Sequence, residues 1–461
     1  MKHKKLLVLI LVLAIGLMSA LFVSACGTTT TTTTAGPATT AGPATTAGPA
    51  TTAGPATTAG PTTTAAAAAG EDIMVGAINS LTGSNVLTGQ DEKWAQEKAV
   101  ADINAKGGIK LSDGLMHKIV LKYADDKSDP TAGAAAMEQL IKVDGLKLIL
   151  SGNITPVNQA AATVAEKYGV FYQICSSWID VALPDGSFPG FIGGMNLKWS
   201  ADVFEAALQA GNAAVGAIKA MAPADVPKNF AVMTDNSPDG TGFGNGTVAG
   251  LKAAGYNVVT YEQYSATGTP DFSSIILKYK EMNVDGLVTL IDPAAGITFL
   301  KQMKQGAWSP KYIFGYKGFW PSDFANTLGP DSDYVGHDGF WSETFPFPYA
   351  KELGAAYTAD HNGDTSNSVG LYYAATQILA MAIERAGTAE PGPVRDQVFN
   401  GTFKGTTMGD ITYGTFYPDA PGIAHIPFLS DQWQPGKKRV VIFPTDFSQG
   451  PMMTFVPWEQ R

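Results

Sequence analysis

Short apolar stretches alternate with amphipathic stretches from residue 73 onward. The apolar run at 73–81 has the length of a strand, and 89–105 spaces its apolar residues at helical intervals before Gly107 and Gly108 end it. The same alternation predicts strands at 118–124, 146–151 and 170–174 and helices at 132–143 and 157–168. Strands that alternate with helices through short turns are typical of a doubly wound parallel sheet.

A second run of the same kind begins after residue 192. A helix is predicted near 201–221, and a glycine-rich turn joins a strand at 230–234 to a helix that ends at 254. The run continues with strands at 258–261, 286–291 and 311–314 and helices at 273–282 and 297–305. Two runs of similar size predict two lobes.

The last stretch, 318–461, has too little strand for a third parallel domain. Its predicted elements are helices at 350–360 and 368–385 and strands at 411–413 and 439–443. We therefore expect an α/β fold with two doubly wound, Rossmann-like lobes, which this stretch completes through several hinge crossings. The expected division gives 71–193 and about 318–425 to lobe 1, and 194–317 and about 426–461 to lobe 2.

The N-terminus has the layout of a secretory signal. Lysines precede an apolar run from residue 6 to about residue 23, and the sequence VSAC at 23–26 resembles the bacterial lipobox. The resemblance implies that Cys26 becomes the lipidated first residue of the mature protein. The alternative is an uncleaved anchor, because about 18 apolar residues can span a bilayer. Both interpretations place the rest of the chain outside the cytoplasm.

A low-complexity tether is predicted at 27–70. It contains a run of threonines, repeats of AGPATT and five alanines, and has no side chains that build a core. A coil of this length reaches roughly 35–40 Å. We interpret it as a spacer between membrane and domain; glycosylation or passage through a wall are the alternatives.

Charge and cysteine content narrow the possible partners. Residues 71–461 hold 28 basic and 41 acidic side chains, a net charge of −13, which makes nucleic acid an unfavourable partner. With Cys26 used for lipid, Cys175 is the one remaining cysteine. The domain therefore has no intramolecular disulfide and depends on its hydrophobic core.

Several motifs occur in a recognisable order. They are IMVGAINSLTG at 73–83, ADINAKGGI at 101–109, YADDKSDPT at 123–131, AEKYGV at 165–170, LKAAG at 251–255, TPDFS at 269–273 and AIERAG at 382–387. This order resembles the type I periplasmic binding proteins of the leucine/isoleucine/valine class, the solute receptors of branched-chain amino acid ABC importers. The resemblance covers essentially all of 71–461.

Candidate ligand contacts follow the strands, because ligands of open α/β sheets lie at the carboxyl ends of strands. In lobe 1, Asn153 and Thr155 follow one predicted strand. The resemblance places Thr88 where the family has an aromatic wall residue, and Thr155 nearest the hydroxyl that binds the ligand carboxylate. Thr155 as a simple helix cap is the alternative.

The next predicted turn departs from the family. Ser176 falls where the family offers backbone contacts, Ser177 follows it, and Trp178 replaces a small hydroxyl residue. In lobe 2 the resemblance places Ala295 where an acidic residue would bind the ligand ammonium, so Asp292 is the candidate replacement. Asp292 as a helix cap is the alternative.

The resemblance places Asp239 where the family commonly has a tyrosine. The alternative is that Asp239 is a simple turn aspartate.

Aromatic residues crowd the predicted cleft, although many strand aromatics belong to the core. We favour Trp178 and Tyr316 as wall residues among Tyr172, Trp178, Tyr316, Phe319, Trp320, Phe340 and Trp341. These departures favour an aromatic or otherwise apolar carboxylate, amide or amino acid as the ligand.

No catalytic constellation is apparent. The histidines are scattered, and the glycines at 240–246 miss the GxGxxG spacing of a dinucleotide loop. Cys175 has no paired histidine, which leaves a nucleophile as a minor alternative. We expect that the protein is not an enzyme and needs no cofactor. We expect instead a lipid-anchored, monomeric receptor that closes on a small molecule and delivers it to permease subunits with cytoplasmic ATPases. A sensor that signals to a membrane protein is the alternative.

Overall fold

The computed structural model describes residues 68–179, 197–206, 211–265, 270–415, 420–426 and 428–461. The predicted signal with Cys26, nearly all of the predicted tether and the expected lobe boundary at 193/194 lie outside these ranges. The last residues of the predicted tether already belong to the domain, since Ala69 forms a β-bridge with Met116. Within the described ranges, every helix is too short or too polar to span a bilayer.

The first part of the chain forms the predicted alternation of strands and helices. A hairpin of β2 (Ile109–Lys110) and β3 (Met116–His117) is inserted after the first helix. The other elements are β1 (Ile73–Asn79), α1 (Val86–Ala105), β4 (Ile119–Asp125), α2 (Pro130–Lys142), β5 (Leu148–Ser151), α3 (Thr155–Tyr168) and β6 (Phe171–Cys175). Each of these confirms its prediction within about three residues.

The predicted helix near 201–221 is wrong at its beginning. This stretch holds a strand, β7 (Ser200–Phe204), and the helix α4 (Gly211–Lys219). All five side chains of β7 are buried, as in a central parallel strand. Its sequence SADVF includes Ser200 and Asp202, so the strand lacks the continuous apolar run that marks a buried strand in the sequence.

The second part of the chain has one correction to its predicted turns. The glycine-rich stretch is not a turn but the first half of α5 (Pro238–Ala253). A Cβ atom on Gly244 would lie 2.2 Å from the Tyr261 hydroxyl, so this glycine lets the helix approach its strand. The elements are β8 (Asn229–Asp235), α5, β9 (Asn257–Tyr264), α6 (Ser273–Glu281), β10 (Gly286–Ile291), α7 (Pro293–Gln305) and β11 (Tyr312–Lys317).

The last part of the chain contains more strands than the sequence predicts. Its elements are α8 (Ser322–Leu328), β12 (Gly336–Gly339), α9 (Ala350–Asp360), α10 (Val369–Ala386), α11 (Pro391–Val398), β13 (Thr402–Thr406), β14 (Gly409–Thr412), β15 (Ile423–His425), β16 (Leu429–Gln434) and β17 (Lys438–Phe443). The unpredicted β12 and β16 are rich in polar residues and therefore lack an apolar run.

The strands form two large sheets. The first has the order β15-β7-β6-β5-β1-β4, and its neighbouring strands are parallel. The second has the order β17-β16-β12-β11-β10-β8-β9, parallel from β9 to β12 and antiparallel from β12 to β17. Two doubly wound lobes are thus confirmed.

The path between the sheets corrects the expected lobe division. β7 belongs to the first sheet, although lobe 2 was expected to begin at residue 194, and β12 belongs to the second sheet, although 318–425 was assigned to lobe 1. The described strands require three passages between the lobes, after β7, after β12 and after β15. Pairing partners far apart in sequence decide these assignments, and local pattern does not reveal them.

Helices cover both faces of each sheet. One face of the first sheet packs on α2 and α3, and one face of the second packs on α6, α7 and α8. The two remaining faces, with α1, α4, α5 and α10, share one continuous hydrophobic cluster. Phe204 and Phe340, whose ring centroids are 4.9 Å apart, join the two faces at the passages between the lobes.

Gly370 in α10 tests this packing. A Cβ atom there would lie 2.1 Å from the ring of Trp341, which is buried on the second passage. We expect Gly370→Ala to lower the free energy of unfolding by about 1–3 kcal/mol, because the overpacked ring must shift. Urea unfolding measures the change. Gly392→Ala is the control, since its Cβ meets its nearest neighbour at 4.0 Å; equal stability of both variants would contradict the packing.

Candidate functional site

Both sheets have a point where the strand order reverses, and the carboxyl ends of the strands there form a crevice. In the first sheet the reversal lies between β1 and β5, and in the second between β8 and β10. The turn after β5 contains Asn153, and the helix after β8 begins next to Asp239. These are the positions where doubly wound sheets bind ligands.

A strained turn follows β5. Ile154 has φ 82°, a region that β-branched residues rarely adopt. Hydrogen bonds hold the turn on both sides: the Asn153 side chain accepts from the Ile154 N–H, and Asn158 Nδ2 donates to the Gly152 carbonyl at 2.9 Å. Backbone strain of this kind persists where surrounding structure fixes it, and it clusters at functional sites.

Thr155 is the first residue of α3 and does not cap the helix. Its hydroxyl accepts the Trp178 backbone N–H at 3.1 Å, which leaves the hydroxyl proton to donate to another group. This bond ties the turn after β5 to the turn after β6. Ser176 in that second turn also has a left-handed backbone, with φ 58°.

A buried ion pair lies on the opposite lobe. Lys317, at the end of β11, contacts Asp239 with 2.9 Å between Nζ and Oδ2, and Asp292 at 3.7 Å. Burial alone would lower the pKa of Lys317, but attraction by these carboxylates and by Asp235 outweighs burial and raises it. Lys317 is therefore a fixed cation in the crevice.

These turns border a partly open cavity between the lobes. Its lining combines polar groups from both lobes with an aromatic wall. The lining residues are Asn153, Thr155, Ser176, Trp178, Phe204, Asp239, Leu290, Tyr316, Lys317, Trp320, Asp338 and Phe428. A mostly apolar cavity with a few convergent polar groups is typical of a small-molecule site.

Four polar atoms in the lining have no hydrogen-bond partner within the described residues. They are Asn153 Nδ2 and Ser176 Oγ on lobe 1, and Asp239 Oδ1 and Asp338 Oδ2 on lobe 2. Buried polar atoms without partners are rare in folded proteins because each costs desolvation free energy. Burial also raises the pKa of Asp338 well above its usual range. The unpaired atoms mark both ends of the cavity as contact points.

The comparison with known families decides what kind of protein carries this cavity. The sequence profile of the periplasmic binding protein family matches residues 72–419. The chain belongs to this family. The membership confirms the resemblance found in the sequence motifs, and it agrees with the two-lobe α/β fold.

Individual periplasmic binding proteins are distant relatives. The chain is similar to a Leu/Ile/Val/Thr-binding protein of Salmonella typhimurium, with 28% identity over 41% of this chain and 46% of the relative. The alignment thus spans just under half the length of that relative.

Two solved structures share the fold. One is a branched-chain amino acid transporter substrate-binding protein of Streptococcus pneumoniae in complex with isoleucine, with TM-score 0.66, 21% identity, and 81% of this chain and 100% of that chain covered. The other is a solute-binding protein of an ABC transporter of Rhodopseudomonas palustris in complex with 3,4-dihydroxybenzoic acid, with TM-score 0.65, 17% identity, and 85% and 99% covered.

In this periplasmic binding protein, the structure gathers most of the predicted contacts around the cavity. They are Asn153, Thr155, Ser176, Trp178, Asp239 and Tyr316. Asp239 is buried and ion-paired rather than a solvated turn aspartate.

Three predicted contacts do not border the cavity. Thr88 is buried in the first turn of α1, and Ser177 accepts a hydrogen bond from Asn158 at 2.6 Å. Asp292 stands before α7 without capping it, and its side chain faces Lys317 instead.

Sequence reasoning missed Lys317 and Asp338. Both stand at or near the end of a strand, which was the available signal, but neither matches a family motif.

The interpretation of Cys175 as a nucleophile loses support, because burial raises the pKa of its thiol well above its usual range and so disfavours a thiolate.

The Lys317–Asp239 pair allows a direct test. We expect Lys317→Met to lower the free energy of unfolding by about 3–5 kcal/mol, because it leaves a buried carboxylate unpaired. The double variant Lys317→Met/Asp239→Leu should recover much of that loss, since no charge remains in the buried pair. Urea unfolding distinguishes the variants; a double variant less stable than the single variant would contradict the pairing.

Proposed function

We propose that this protein is the extracytoplasmic solute-binding receptor of an ABC-type importer. It captures a small molecule between its lobes, closes around it and presents the closed form to permease subunits with cytoplasmic ATPases. Family membership and the cavity at the strand-order reversals support the proposal. The Salmonella relative is named for binding Leu, Ile, Val and Thr, one structural neighbour holds isoleucine, and another holds an aromatic acid.

The cavity lining favours a particular ligand class. On lobe 1, Asn153 Nδ2 and the Thr155 hydroxyl proton offer donors for a carboxylate or an amide carbonyl. Between the lobes, the ring centroids of Trp178 and Phe428 lie 5.7 Å apart with an angle of 63° between the ring planes. The ring of Phe204 packs against both. We infer that the ligand is an aromatic or otherwise apolar carboxylate, amide or amino acid.

The polar atoms on lobe 2 define the other end of the ligand. Asp239 Oδ1 is an acceptor without a partner in the described residues, and Lys317 Nζ keeps donor capacity beyond its bond to Asp239. A hydroxyl or amino group at the far end of the ligand satisfies these atoms. An unsubstituted aliphatic ligand leaves them unpaired, which costs binding free energy.

Calorimetry on the full-length chain tests the ligand class. We expect phenylalanine, benzoate or 3,4-dihydroxybenzoate to bind more tightly than isoleucine and valine, because the wall is aromatic. Trp178→Ala should weaken ring binding by about tenfold or more. The matched control is Trp199→Ala, whose ring packs under Arg395 away from the cavity. Binding of isoleucine and valine alone would refute the preference for an aromatic ligand.

We further propose that the chain is held at the membrane by lipid on Cys26, through the tether at 27–70, and acts as a monomer. Cys26 has the position of the lipobox cysteine in the sequence. The spacer holds the domain off the bilayer and leaves it free to turn toward the permease.

Cys26→Ala tests the anchor. We expect the variant to lose incorporation of labelled fatty acid and to leave the membrane fraction, because the thiol is the proposed attachment point. Metabolic labelling and fractionation measure both. Cys175→Ala is the control and should keep the label. A Cys26→Ala chain that stays in the membrane without label would favour the uncleaved anchor.

A further inference from the structure

A buried glutamate lies directly behind the ligand-binding turn of lobe 1. Glu92 in α1 is fully buried, and its Oε1 accepts the backbone N–H of Asn153 at 2.8 Å. Its Oε2 accepts from Asn79 Nδ2 at 3.2 Å, at the end of β1. Glu92 thus joins the two strand ends on either side of the strand-order reversal, one residue away from the cavity.

The turn is built to receive this side chain. A Cβ atom on Gly152 would lie 2.2 Å from Glu92 Oε2, so only glycine allows the carboxyl group to come this close. The bond to Glu92 fixes the Asn153 backbone next to the strained Ile154. Asn153 in turn carries the unpaired Nδ2 that borders the cavity. Glu92 therefore lies directly behind a residue whose side chain borders the cavity.

Several ionisable groups surround Glu92. Burial, and to a smaller extent the charge of the nearby Asp126, raises the pKa of Glu92 to about 8. Tyr172, Cys175 and Tyr372 also face it, and burial raises the pKa of each well above its usual range, so they stay neutral. Burial raises the pKa of Asp126 above its usual range, and hydrogen bonds from Ser80 and from the Ser128 N–H, at 2.7 Å each, oppose that rise.

We propose that Glu92 is a positioning residue of the ligand site: it holds the Asn153 turn in place, and it takes up a proton when an anionic ligand binds in front of that turn. This inference rests on the proposed function as a small-molecule receptor. An ionised Glu92 repels a ligand carboxylate at Asn153 and Thr155, whereas a neutral Glu92 does not. By linkage, affinity for an anion falls as pH rises and Glu92 loses its proton.

Benzoate and benzamide are suitable probes, because they share a phenyl ring but benzoate is an anion and benzamide is neutral. Neither changes its charge between pH 6.5 and pH 9.5. We expect the Kd of the wild-type chain for benzoate to be about tenfold higher at pH 9.5 than at pH 6.5. The Kd for benzamide should stay constant. In Glu92→Gln, which keeps an acceptor for the Asn153 N–H, the Kd for benzoate should vary less than about twofold.

Two variants separate this role from a merely structural one. Glu97→Gln makes the same change on the exposed part of α1, where Glu97 pairs with Lys93, and should keep the wild-type pH profile. Asp126→Asn removes the neighbouring charge that raises the pKa of Glu92, so the midpoint of the profile should move to lower pH. A benzoate profile that is unchanged in Glu92→Gln overturns the inference.

A measurement without ligand keeps the two proposals distinguishable. In the full-length chain labelled with ¹⁵N-asparagine, the Asn153 backbone amide resonance should titrate with a midpoint near 8. The titration should be absent in Glu92→Gln. If neither probe binds but Asn153 titrates, the ligand class fails while the Glu92–Asn153 coupling stands. If Asn153 does not titrate in the wild-type chain, the inference is wrong whatever binds.

Discussion

Parallel strand pairing is the constraint on which the rest of this structure depends. It aligns every carboxyl end of the first sheet along one edge, and the same holds for β8 to β12 of the second. The turns at those edges are free of the sheet's hydrogen bonds and lie close to its core. Two such edges facing one another produce the cavity, and three passages of the chain keep them opposed.

The turns at the edge are strained and are held by buried polar groups. Ile154, Ser176 and Lys317 all have positive φ angles, and each borders or adjoins the cavity. Strain of this kind costs free energy, which the surrounding packing and hydrogen bonds must offset. Glu92 beneath one turn and the Asp239–Lys317 pair beneath the other provide part of that support. A site built in this way is preorganised, since the donors are fixed before a ligand arrives.

Several site residues were predictable, and the reasons differ from residue to residue. Asn153, Thr155 and Trp178 follow strands that are plain in the apolar pattern, so their place at the edge follows from the fold class. Lys317 was not predictable, because a lysine at a strand end is ordinarily solvated. It is a buried cation here because Asp239, in α5, pairs with it. Phe428 reaches the cavity from a passage late in the chain.

The sequence by itself determined the alternation of strands and helices, the two doubly wound lobes and the family. These properties follow from local periodicity and from motifs that lie close together in the chain. Tertiary structure alone decided that Ser200–Phe204 and Gly336–Gly339 join the sheets they do, and which carboxylates face Lys317 or Asn153. Those outcomes depend on contacts between residues far apart in sequence, where burial and charge act on groups that no local pattern brings together.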